Sequence, residues 1–138
     1  MAHMNQEKKK QLAPGIKKVL KKYGLKGSIG VNHYSGLIVN IKSGGIDFIN
    51  NWKPNKVKAE EGKEVQDYIQ VNEHWIEENY TGEAQKCLQE LKLAMNGCEE
   101  IQNFDESDIM TDYFHIGWYI YINVGQWDKP YLLTEGGK

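Results

Sequence analysis

Phe114-His115-Ile116-Gly117-Trp118-Tyr119-Ile120-Tyr121-Ile122-Asn123-Val124 alternates along its whole length. Phe114, Ile116, Trp118, Ile120, Ile122 and Val124 take every second position, with His115, Gly117, Tyr119, Tyr121 and Asn123 between them. Side chains with a period of two stand on opposite faces of a β-strand. This strand therefore has one face in a core and one half-polar face. Upstream, Ser28–Asn32 alternates with Ile29 and Val31 on one side, and Leu37, Val39 and Ile41 do the same. His33-Tyr34-Ser35-Gly36 reads as the turn of a hairpin between them. Tyr68–Val71 is a shorter strand candidate.

Helices fill the intervals. Pro14 suits a first helical position, and Ile16, Val19, Leu20 and Tyr23 share a face at i, i+3, i+4, i+7. Gly24 is the expected left-handed stop, and Lys17, Lys18, Lys21 and Lys22 occupy the opposite face. Thr81 reads as the cap of a second helix whose inner face is Ala84, Cys87, Leu88, Leu91 and Met95, ending at Gly97. Ile46, Phe48 and Ile49 form a short apolar patch, and residues 50–66 read as a long polar loop. Glu73–Asn79 reads as a short helical turn. This order predicts an α+β two-layer sandwich: a small, mostly antiparallel sheet with two main helices packed on one face.

At 138 residues the chain fits one domain of roughly 100–200 residues. The reading places the domain at 12–133. Residues 1–11 are a vector remnant (Met1 to Met4) and a polar extension that is frayed or a helical extension, and 134–138 a flexible tail. With 40% hydrophobic residues and a net charge of -2, the composition is not that of a disordered chain. No apolar run approaches the roughly 20 residues of a membrane span, and the start lacks a signal-peptide pattern. Two cysteines, Cys87 and Cys98, fit a reduced, cytoplasmic chain. All 17 basic residues are lysine. The charge is polarised: residues 1–66 carry 13 Lys and 5 acids, and residues 67–138 carry 4 Lys and 14 acids.

Strong catalytic or metal motifs are missing: there is no GxxxxGK[ST], HExxH, CxxC or GxSxG. Cys87, on an apolar helix face, reads as a buried inert thiol. His33, His74 and His115 are too scattered to define a zinc geometry. Asp105, Glu106, Asp108 and Asp112 could offer oxygen ligands to Mg²⁺ or Ca²⁺, yet they lack the glycine and terminal glutamate of an EF-hand loop and read as a solvated turn. An Asp112/His115 acid–base pair, or the acidic loop 105–112, would be the basis of the alternative reading, a small hydrolase-like enzyme. The pronounced feature is Lys8, Lys9, Lys10, Lys17, Lys18, Lys21, Lys22 and Lys26. With Tyr34, Tyr119 and Tyr121 as stacking rings, these lysines supply the ingredients of nucleic-acid contact. Trp127 and Tyr131, outside the alternation and around Pro130, are the candidates for an exposed partner-binding patch.

Ala13-Pro14-Gly15-Ile16 to Tyr23-Gly24-Leu25-Lys26-Gly27-Ser28, Ile46-Asp47-Phe48-Ile49, Tyr68-Ile69-Gln70-Val71-Asn72 and Thr111-Asp112-Tyr113-Phe114-His115-Ile116-Gly117-Trp118-Tyr119 resemble small uncharacterised phage and plasmid proteins. They look like the large polyvalent protein associated domain family, twenty-ninth type, over roughly residues 12–133. The resemblance implies a mobile-element setting, with counter-defence as one role, and brings no catalytic residues. The expectation is a cytoplasmic, non-catalytic accessory domain. It needs no cofactor or metal, contacts a protein partner or nucleic acid but no membrane, and is mainly monomeric at physiological salt.

Overall fold

A computed structural model describes residues 4–32, 36–98, 118–126 and 128–134. The elements run α1 (Gln6–Lys22), β1 (Leu25–Asn32), β2 (Gly36–Gly44), α2 (Phe48–Asn51), α3 (Lys53–Glu60), β3 (Ile69–Val71), α4 (Ile76–Asn79), α5 (Gly82–Met95), β4 (Tyr119–Val124) and β5 (Leu132–Leu133). This is an α+β fold with helices packed on one five-stranded sheet, ordered β1-β2-β4-β3, with β5 also on β2.

The alternation seen in the sequence sets the sheet's two faces. Leu37, Val39 and Ile41 of β2 have no solvent exposure, and Trp118, Ile120, Ile122 and Val124 are buried beside them. Tyr119 and Tyr121 remain exposed on the other face. Residues 114–117, the first part of the alternating run, lie outside the described residues, as does the turn 33–35. Pairing is antiparallel at both edges, β1 with β2 and β3 with β4, but β2 runs parallel to β4 and to β5. The sheet is thus mixed. Among the described residues, the chain between β2 and β4 contains β3 and four helices, ample for the crossover a parallel pair requires.

β4 and β5 act as one interrupted strand. Ile41 pairs with Val124, and Ser43 with Leu132. Between them the chain leaves at Gly125 and folds back through a turn in which Gln126 and Lys129 exchange backbone hydrogen bonds of 2.8 and 3.0 Å. Gly125 has φ +73°, and a Cβ there would sit 2.5 Å from the Tyr131 nitrogen, so only glycine fits.

The first helix starts earlier than the proline suggests. Asn5 caps it, its side chain accepting from the Lys8 N–H at 2.8 Å, and Pro14 lies inside the helix rather than at its start. Part of the polar extension is therefore helix, and Met4 is fully buried. Leu12, Ile16 and Leu20 face the core, and Gly24 ends the helix with φ 66°. On α5, Ala84, Cys87, Leu88, Leu91 and Met95 are buried as the spacing predicts. Thr81 is its N-cap residue, but its hydroxyl makes no cap bond and instead accepts from Asn51 Nδ2 at 3.3 Å. At the other end Trp118 Nε1 donates to the Met95 carbonyl at 2.9 Å, filling an acceptor left open by the helix terminus.

Residues 50–66 are not one long loop. They contain the end of α2 and all of α3. Asn55, fully buried, explains the order. Its Nδ2 donates to the carbonyls of Ile49 and Gln66, each at 2.8 Å, and its Oδ1 accepts from the Gln66 N–H at 3.0 Å. One side chain thereby ties three points of a polar segment.

Candidate functional site

α1 turns through Tyr23-Gly24 directly into β1, so the outer lysines of the helix end stand beside the first residues of the strand. An open groove of about 460 Å³ lies there, lined by Lys17, Leu20, Lys21, Gly24, Leu25, Lys26 and Gly27. Lys17, Lys18, Lys21 and Lys26 are exposed. None of the ion pairs among the described residues involves them. Of the lysines singled out in the sequence, Lys17, Lys21 and Lys26 border this groove.

Lys22 has a different task. Its Nζ lies 2.7 Å from Glu90 Oε1 on α5 and 5.3 Å from the centre of the Tyr23 ring. Tyr23 donates its hydroxyl to the other Glu90 oxygen. The Lys22 and Tyr23 hydrogen bonds hold the Glu90 carboxyl below its ordinary range, and the Glu90 bond pushes Tyr23 up to about 12. This is a clamp between α1 and α5. Lys8 lies with its ammonium 5.7 Å over the Trp118 ring.

Tyr119 and Tyr121 lie on the sheet face away from the core that α1 helps to cover. The sheet therefore separates the tyrosines from the lysines, and the two sets do not form one surface. Tyr121 leans over Gly36, where a Cβ would come within 2.3 Å of its ring. Beside it Asn123 donates to Asn40 Oδ1 at 2.9 Å across the β2–β4 pair.

Tyr131 is a correction. It is 6% exposed, packs edge-on against Phe48 with centroids 5.7 Å apart, and donates its hydroxyl to the Ile46 carbonyl at 2.7 Å. Proline and polar neighbours suggest exposure, whereas the return of the chain to β2 folds the ring inward. It is core, not a binding patch. Trp127, Asp105, Glu106, Asp108, Asp112, His33 and His115 lie outside the described residues. Burial pushes the Cys87 thiol up to about 12, away from the thiolate form that a nucleophile requires. His74 is exposed, 3.4 Å from Glu73. Among the described residues no group of three or more His, Cys, Asp or Glu side chains could hold a metal ion.

Sequence reasoning misses the groove's apolar floor. Helical spacing marks Leu20 as core, and both it and Leu25 are nearly buried, yet they also border the groove. The available signal is their spacing around Gly24, which forces helix end and strand start together. No family model matches the chain, and neither the curated proteins nor the solved structures yield a match. No helix among the described residues is long and apolar enough to cross a membrane.

Proposed function

We propose that this chain is a non-catalytic binding domain that engages an anionic partner, protein or nucleic acid, through the groove between α1 and β1. One observation carries the reading: Lys17, Lys21 and Lys26 converge on an open groove with no carboxylate in its lining. Clustered ammonium groups without local counter-charges attract an anionic chain and release its counterions. The setting, an accessory protein of a phage or plasmid working in the host cytoplasm and acting in counter-defence, rests on the sequence resemblance alone.

The test is fluorescence anisotropy with labelled single- and double-stranded oligonucleotides and a glutamate-rich peptide, across a salt series. Binding of at least one polyanion is expected, weakening as salt rises. Reversing Lys17, Lys18, Lys21 and Lys26 to Glu should abolish it. Absence of binding at low salt, or binding indifferent to the reversal, would overturn the reading. Lys22 is left intact, because its removal would disturb the clamp to Glu90.

A further inference from the structure

We propose that the outer edge of β1 accepts an acidic, extended segment of a partner protein as an additional strand. The inference rests on the basic-groove reading and gives that groove its partner and its binding mode. β1 is an end strand of the sheet, paired with β2 along its length, and among the described residues no strand pairs with its other side. Such an edge offers main-chain N–H and C=O groups that an arriving strand can satisfy. Its opening residues are accessible: Lys26 and Gly27 are exposed.

The groove alongside sets the chemistry of the occupant. Leu20 and Leu25 provide apolar surface, with Lys17, Lys21 and Lys26 around it. Side chains of a strand alternate between faces, so an added strand turns every second side chain toward α1. Apolar groups there meet the leucines, and acidic groups meet the lysines. Nucleic acid suits the same place less well. The lining holds no aromatic ring to stack a base, the chain has no arginine, and its net charge is -2. Edge-to-edge pairing with a second copy is opposed as well, because it would set one lysine-rich groove beside another. A strand bearing carboxylates meets the opposite situation.

The experiment is NMR titration of the full chain at about 0.15 M salt. The probe is an acetylated peptide of about eight residues, a length matched to β1. In it Val and Glu take turns at every second position with Thr between them, so that one face carries both apolar and acidic groups. Two further peptides carry N-methyl groups on alternate amides, one in each phase. Shifts along Leu25–Asn32 and α1 are expected. Methylation in the phase facing β1 should weaken binding by about tenfold or more, and the other phase should be tolerated. Lys17→Gln with Lys21→Gln, both exposed, should also weaken it. If both methylated peptides bind like the parent, charge alone holds the peptide and strand addition is overturned, while the basic-groove reading stands. Strand addition is equally overturned, and the groove reading kept, if an oligonucleotide binds and no peptide does. If neither peptide nor oligonucleotide binds even at low salt, the groove reading falls with it.

Discussion

At the scale of single residues, Asn55 shows how one polar side chain can organise a segment that looks like loop. A buried amide is tolerated only when its hydrogen-bonding groups are satisfied, and Asn55 bonds to Ile49 and Gln66 through both its donor and its acceptor. Asn55→Ala would leave the Gln66 N–H and two carbonyls without these partners, and a loss of roughly 2–3 kcal/mol is expected in urea unfolding. A loss under about 0.5 kcal/mol, the range of surface substitutions, would show that the segment is held by other contacts. Nothing in the residue's neighbours advertises this role. Asn-rich stretches such as Asn50-Asn51 and Asn55 normally signal turns. The bonds that make the difference reach six and eleven residues along the chain.

At the scale of elements, α5 behaves as its spacing predicts. Leu88 and Leu91 have no solvent exposure, so Leu88→Ala or Leu91→Ala should cost about 2–5 kcal/mol. Lys86→Ala on the exposed face should cost under about 0.5 kcal/mol. Similar small losses at all three positions in a denaturant series would contradict the facing of the helix. The clamp that joins α5 to α1 has its own pH signature. Glu90 is held below its ordinary value, so its contribution is full above the ordinary carboxylate pKa and fades as pH falls through the lowered one. Tyr23 is raised from 10.0 to about 12, so its contribution is full below 10 and lost as pH climbs through 12. Wild type should therefore exceed Glu90→Gln in urea midpoint at pH 7, and the gap should close in acid. An equal gap at both ends would mean that the substitution acts through packing. Tyr23→Phe should show its deficit below pH 10, shrinking on the alkaline side.

At the scale of the whole molecule, one basic patch and one acidic patch of the described residues lie toward different edges of the sheet. The basic groove borders β1, while Glu73, Glu77 and Glu78 follow directly on β3 at the other end of the sheet order. They line a second groove of about 210 Å³ with His74, Gln89 and Lys92. Such a molecule can attract copies of itself head to tail. The contacts are exposed, and screening at about 0.15 M salt, with a Debye length near 8 Å, should leave it mainly monomeric. Reversible association is expected below about 20 mM salt, and light scattering across that range checks it. A dimer persisting at about 1 M salt would point to an apolar interface instead, with exposed Leu132 and Leu133 the first surface to examine.

What can be read in the sequence follows from period. Alternation places Ile120, Ile122 and Val124 inward and Tyr119 and Tyr121 outward, and helical spacing places Leu88 and Leu91 in the core, because a side chain's face depends only on its own element's geometry. The lysine face is legible for the same reason. Three matters are decided only by the tertiary structure. The parallel pairing of β2 with β4 depends on how the crossover packs, which alternation does not encode. The inward turn of Tyr131 depends on the chain rejoining β2 after Gly125. The separation of the lysines from the tyrosines depends on which side of the sheet receives α1. Each is a relation between elements distant in sequence, settled by burying the shared apolar face.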